Sequence, residues 1–304
     1  MTETENWTEY WQDEGRSGEV FVDANGRKHP ALTQFWTNAL GSLTDGSRVV
    51  DIACGAGSVF AEIPDFDRLE LFANDISSEA VELLQQRMPN VSTEVADAKS
   101  LPYDDQSFDQ VVSQFGVEYA GLPAFLEAAR LVRPGGSLVT LSHYKNGYID
   151  SRNAIELSAA EAVLASRFVD HAAAVTTAVF ADNRSAFDKA FAGFQPAEQA
   201  LAAAHDRHSQ GVHAHLYAGF RQLFENRDRY AEADIHAWLT DMRAEVDRTV
   251  LRLTTMRSAA LGDDDAQELA AQLASAGLSN VSIEVFEIPG NDKPVAWQVR
   301  ARRP

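Results

Sequence analysis

Two glycines spaced by one residue, Gly55 and Gly57, follow closely on the apolar run Arg48-Val49-Val50-Asp51-Ile52 and the small residues Ala53 and Cys54. Glycine has no Cβ and takes φ > 0 without steric cost, so a turn of this kind after a strand lets main chain approach a ligand. Asp51 adds a carboxylate at the strand's end. Together these residues predict a nucleotide-like cofactor at the carboxyl end of a first β-strand. A dinucleotide fingerprint also needs a third glycine three positions after the second, where the next helix packs on the strand. No glycine stands there, which leaves a nicotinamide enzyme as the weaker alternative.

Other residues with chemical capacity follow along the chain. Asp75 lies 24 residues after Asp51, in Ala73-Asn74-Asp75-Ile76-Ser77. At the end of a second strand its carboxylate can accept hydrogen bonds from both hydroxyls of a ribose, or it can cap a helix starting at Ser77-Ser78. Glu118 and Tyr119 are placed after a fourth strand, His143 and Tyr144 after a fifth. The catalytic candidates are His143, Tyr119 and Glu118, of which the histidine titrates nearest neutrality. A hydrogen-bonded structural histidine and a packing tyrosine are the plainer alternatives. His205, His208, His213 and His215 crowd eleven residues. Their spacing fits no closed zinc pattern and no cysteine joins them, so no metal is expected; lining an acceptor pocket or a solvated helix face are the readings left. Cys54, the sole cysteine, excludes an internal disulfide and reads as a small buried residue at the base of the glycine turn.

These residues need elements to hold them. Short apolar runs alternate with helical patterns from Val49 onward, with strands expected at Leu69–Phe72, Val91–Val95, Phe108–Val112 and Ser137–Leu141. Such alternation predicts a parallel sheet with helices on both faces. From Asp150 to Leu261 no strand pattern is found, and apolar residues such as Ile235, Leu239, Met242 and Val246 recur at helical spacing. One more helix, Ala266–Ala276, precedes two strands, Val281–Phe286 and Val295–Arg300, which a short turn at Pro289–Asp292 makes antiparallel. The fold class expected is α/β: a seven-stranded doubly wound sheet, five parallel strands plus a terminal antiparallel pair, with a large all-helical insertion. The divisions are 1–44 as an N-terminal helical flap, 45–149 with 262–304 as the core, and 150–261 as a helical cap. Trp7, Tyr10 and Trp11 form an aromatic helix, either a second flap or packed on the core.

The pattern Asp51-x-x-Cys54-Gly55-x-Gly57 resembles motif I of the class I S-adenosylmethionine-dependent methyltransferases, with Ala53 where the usual run has glycine. The order of elements over roughly 45–145 and 263–302 resembles that family's seven-stranded core, of the type 11 small-molecule kind. The resemblance implies S-adenosyl-L-methionine as cofactor, held by Asp51, Ala53, Gly55 and Gly57. It further implies Asp75 on the ribose, Ile76 against the adenine, Asp97 with Ala98 at the adenine amino group, and Gln114 facing the methionine part. Leu101–Asp109 is similar to the family's loop into strand four, and Arg133-Pro134-Gly135-Gly136 to its turn before strand five. The activity implied is transfer of a methyl group to O, N, S or C of a small-molecule metabolite by in-line displacement. The alternative is a catalytically silent sensor or partner subunit that binds the cofactor.

Bulk composition narrows the partners. At 304 residues, with 45% hydrophobic and 23% charged side chains, the chain has the makeup of a globular protein with a sizeable core. The net charge of -19 argues against nucleic acid, whose binding relies on Lys and Arg neutralising phosphates. Acidity is concentrated in residues 1–150, with 24 acidic against 10 basic side chains; residues 151–304 carry 21 against 16. No apolar stretch approaches the roughly 20 residues of a membrane span, and the N-terminus is acidic rather than a leader, so a cytoplasmic protein without membrane association is expected. A homodimer is compatible with the sequence. An insertion at the carboxyl edge of the sheet suits a cover over a small acceptor, from which water would be excluded.

Overall fold

Helix and strand boundaries follow local signals read directly from the residues. A computed structural model describes residues 7, 8, 10, 11, 29–61 and 66–304. The acidic N-terminus and much of the expected flap over 1–44 lie outside the described residues. Helix α1 (Pro30–Gly41) opens with proline, whose missing N–H costs nothing in a first turn, and with the His29 Nδ1 atom accepting the Ala31 N–H at 3.2 Å. Its Leu32, Phe35, Trp36, Ala39 and Leu40 are buried at helical spacing. The helix packs in the same cluster as Val49, Leu71, Val112 and Val139 of the sheet, as part of the core.

The strands are β1 (Arg48–Ile52), β2 (Glu70–Asp75), β3 (Ser92–Val95), β4 (Phe108–Gln114), β5 (Val132–His143), β6 (Ser279–Phe286) and β7 (Ala296–Arg302). They form one sheet in the order β3-β2-β1-β4-β5-β7-β6. Pairs β3·β2, β2·β1, β1·β4 and β4·β5 are parallel; β7 runs antiparallel to both β5 and β6. One face packs on α1 and, through Leu84, on α2 (Ser78–Arg87). The other packs on α3 (Leu122–Leu131) and, through Leu269 and Leu273, on the late helix Asp263–Ser275. The seven-stranded doubly wound sheet is thus as expected, with one difference at β5. That strand starts at Val132 and runs through Pro134-Gly135-Gly136, where a turn was expected. Gly135 takes φ 80° and donates its N–H to the Arg303 carbonyl at 2.9 Å, while β4 and β5 shift register between Phe108 and Gln110. A bulge absorbs the glycines, so the strand continues.

The chain divides into two compact units, 1–150 with 258–304, and 151–257. The second unit is helical throughout. Its helices are α4 (Tyr148–Ser166), α5 (Phe168–Phe180), α6 (Arg184–Arg207), α7 (Val212–Glu225) and α8 (Glu232–Ala259), and Asp263–Ser275 is α9. All five contribute to one apolar core that includes Val163, Phe168, Leu201, Leu216, Phe220, Leu239 and Val246. Among the described residues no single helix is long and apolar enough to cross a membrane; α4 and α5, bent by 46°, pass that test only as a pair.

Candidate active site

The strand order reverses between β1 and β4, and the loops after their carboxyl ends form the crevice where an open α/β sheet binds ligands. Asp51, fully buried, is the last residue but one of β1; the parallel register sets Asp51 beside Ala73 and Asp75 beside Val95, so the segments after β1, β2 and β3 line one edge of the sheet. The turn after β1 has Ala53, Gly55 and Gly57 at φ 51°, 52° and 85°. The Cys54 amide donates to the Asn74 carbonyl at 2.9 Å, and the Gly57 amide to the Cys54 carbonyl at 3.0 Å. These bonds fix the turn against β2.

The missing side chains of the two glycines make room for other parts of the protein. A Cβ on Gly55 would stand 2.6 Å from the Trp11 ring, and one on Gly57 would stand 2.5 Å from Leu84 Cδ1. Gly55 therefore accommodates an aromatic ring, and Gly57 lets α2 pack on the loop. A third glycine, Gly116 after β4, has an ordinary φ of -142°, yet its Cβ would lie 2.5 Å from the Ala53 carbonyl oxygen. The β1 and β4 turns touch through bare backbone there.

Asp75 is 7% exposed and accepts two backbone hydrogen bonds, from Gly55 N–H at 2.8 Å and Ser77 N–H at 3.0 Å. The helix cap itself is Ser77, whose hydroxyl accepts from Ala80 N–H at 3.3 Å. Burial pushes the Asp75 carboxyl above the usual carboxylate range, opposed by the amides of Ser77 and Gly55. A carboxylate offers about four acceptor positions, so capacity for a ligand's hydroxyls remains. Ile76 is half-buried beside it and Ala98 is buried. Asp97, also half-buried, holds the Lys99 amide at 2.9 Å and the Lys99 ammonium at 3.3 Å. Carboxylates at these positions have the chemistry to accept hydrogen bonds from a polar ligand's hydroxyls or amine. Cys54 sits among them with its thiol pushed well up, by burial first and then by Asp75 and Asp51, so it stays protonated and serves as packing.

Gln114 is held at both ends of its amide. Its carbonyl oxygen accepts from Trp36 Nε1 at 2.6 Å and its amide nitrogen donates to Ser58 Oγ at 2.9 Å. These bonds brace the glycine turn against α1 and use one amide hydrogen and one carbonyl lone pair. Trp36, 78 residues away in sequence, carried no signal of this partnership.

On the far side of the crevice the structure brings the catalytic candidates together. Glu118, in the single helical turn Val117–Ala120, and His143, ending β5, are 3% and 1% exposed. Glu118 Oε1 accepts the backbone N–H of His143 at 2.8 Å and contacts its Nδ1 at 2.7 Å. Because that oxygen already accepts from an amide, Nδ1 carries the hydrogen, and in the neutral imidazole Nε2 is left as an acceptor. The imidazole lies against Phe115 at 4.8 Å and Tyr119 at 5.7 Å between ring centroids, and Tyr119 against Trp7 at 4.8 Å. Tyr144 points elsewhere, to Asp263 at 3.3 Å.

In the helical unit His213 is fully buried, with Nε2 bonded to the His208 carbonyl at 2.6 Å. His208 stacks on it, His205 lies on Tyr217, and His215 is exposed. Among the described residues no three His, Cys, Asp or Glu side chains are grouped to hold a metal ion.

Residues 49–136 match a family model described as a methyltransferase domain. A demethylmenaquinone methyltransferase of Beutenbergia cavernae is 36% identical over 104 residues, 34% of this chain and 42% of its own length. The enzyme of the same name from Renibacterium salmoninarum is 35% identical over 96 residues, 31% and 40% of the two chains. A geranyl diphosphate C-methyltransferase from Streptomyces coelicolor A3(2), crystallised with Mg2+, geranyl diphosphate and S-adenosyl-L-homocysteine, aligns with a TM-score of 0.38 at 19% identity, over 47% of this chain and 65% of that one. The chain spans about two fifths of the length of the curated relatives it matches. The stretch similar to a methyltransferase domain thus runs from β1 into the start of β5 and includes the turns that form the crevice.

Proposed function

We propose that the protein transfers a methyl group from S-adenosyl-L-methionine to a small-molecule acceptor. The observation that carries this reading is the placement of Asp51, Asp75 and Asp97 after three adjacent parallel strands, across the crevice from the buried Glu118–His143 pair. When bound, the cofactor supplies an electrophilic methyl carbon on a sulfonium. Asp75 and Asp97 hold its ribose and adenine, Ile76 and Ala98 provide an apolar rest for the base, and the turn from Ala53 to Gly57 bounds it beside Asp51. Aligning a nucleophile at near-attack distance supplies several kcal/mol of the barrier reduction. A base is needed only where the acceptor arrives protonated. His143 takes that role, with Nδ1 fixed by Glu118, the arrangement that orients a histidine for proton removal at its other nitrogen.

Isothermal titration with S-adenosylmethionine and S-adenosylhomocysteine tests the reading. Binding with methyl transfer to members of a panel of phenols, amines, thiols and carboxylates is the expected outcome. No heat from natively folded protein would overturn it, and binding without any transfer would assign a cofactor-holding role instead.

A further inference from the structure

The acceptor side of the site presents two buried atoms and a set of rings. His143 Nε2 and Glu118 Oε2 are buried, and neither makes a hydrogen bond among the described residues. Both are acceptors, since Nδ1 holds the imidazole hydrogen and a carboxylate has none to give. Acceptors left unpaired in a buried site are complemented by a donor, which rules out a carboxylate, ketone or ether as the group presented to them. An ammonium group also donates, but it would set a second positive charge beside a sulfonium. A neutral amine attacks before losing its proton and has no need of a buried base. A thiol S–H is only a weak donor, which leaves a hydroxyl as the strong one. A phenol is acidic enough to give its proton to a neutral imidazole, whereas an aliphatic alcohol is far more weakly acidic. Phe115, Tyr119 and, against Tyr119, Trp7 surround this end of the site with aromatic faces and edges, which pack best on another flat ring.

We infer, resting on the methyltransferase reading above, that the acceptor is a planar phenol or hydroquinol whose hydroxyl proton passes to His143 Nε2, with Glu118 as the positioning residue. The O–H bond breaks and leaves its electron pair on oxygen. That pair forms the bond to the methyl carbon as the methyl–sulfur bond breaks, its electrons leaving on sulfur. The products are a methyl ether, a neutral thioether and an imidazolium balanced by Glu118, which then releases its proton to water.

Titration of S-adenosylhomocysteine into the full chain comes first; its failure to bind removes the cofactor reading and the inference with it. In that complex 2-naphthol should bind about ten-fold or more tighter than 2-methoxynaphthalene, which has no hydrogen to donate. Equal affinities in the wild-type protein overturn the inference without recourse to any variant. In His143→Phe the preference should shrink to near unity. With S-adenosylmethionine, 2-naphthol and 1,4-naphthohydroquinone should be methylated in preference to 2-naphthylamine and 2-naphthoate, and the reverse preference, or no methylation of any, overturns the assignment. Glu118→Gln should lower kcat on 2-naphthol about ten-fold or more with the cofactor's KM unchanged, and much less on 4-nitrophenol, which ionises without help. An equal loss on both phenols overturns the positioning role.

Discussion

Asp75 shows how one side chain sets opposing demands on folding and binding. Its carboxyl titrates above the ordinary 3.8 in the folded chain because burial disfavours the charge, so the folded state binds a proton more readily than the unfolded one. The stability this contributes is full below 3.8 and is lost as pH rises through the folded value. Accepting ribose hydroxyls requires the ionised form, so affinity for S-adenosylhomocysteine should run the other way and fall on acidification with a midpoint above 3.8. Asp75→Asn should weaken binding about ten- to hundred-fold near neutral pH and flatten that dependence, as calorimetry between about pH 4 and 7 would show. A wild-type pH dependence no steeper than the variant's would count against Asp75 as a ligand to the cofactor. Residue type and position were enough to place Asp51, Asp75, Asp97, Glu118 and His143 at or after the carboxyl ends of their strands. They carried no sign of the bonds between Gln114 and its partners Trp36 and Ser58, which come from a separate helix and a separate turn, nor of the contact of Trp11 with Gly55. Such pairings belong to tertiary packing, and no local pattern encodes them.

At the scale of elements, the crevice depends on how closely the turns after β1 and β4 approach. Gly116→Ala introduces no backbone strain at φ -142°, so its cost is the collision of a methyl with the Ala53 carbonyl. Overpacking of this kind costs about 1–3 kcal/mol, which predicts a lower thermal midpoint together with weakened cofactor binding, since the same turn carries both. An unchanged midpoint would show that the turns can part at little cost. Gly57→Val, a natural choice for testing a glycine turn, is a poor one here: φ 85° and the contact with Leu84 make it a folding mutation. The order and direction of the strands were legible because short apolar runs alternate with helical periods and the last two are joined by a tight turn. The extent of β5 was not. Pro134-Gly135-Gly136 reads as a turn by composition, and only the bond from Gly135 to Arg303 near the far end of the chain makes it part of a strand.

For the whole molecule, the two units carry separate cores, and each has its own vulnerability. In the helical unit the His213 pKa is lowered, by burial first; its bond to the His208 carbonyl opposes that, the neighbouring His208 and His205 lower it further, and Glu156 raises it. The unfolded chain then takes up protons more readily below about 6.5, so stability present above that value is lost as pH falls. His213→Gln keeps a donor for the His208 carbonyl and removes the titration. Denaturant unfolding at pH 5 and pH 8 should therefore show a smaller difference between the two conditions in the variant than in the wild type, and an equal difference would acquit this histidine. The division of the chain also governs how it is made. Strand β5 ends at residue 143, while the β7 edge that covers it begins at residue 296, after the whole helical unit. At ribosomal speeds of about 5–20 residues per second, the nascent sheet presents an apolar, uncapped flank for roughly 8–30 s. A chain ending after Ser275 would keep that flank bare for good, and it should collect in the insoluble fraction unless a chaperone holds it.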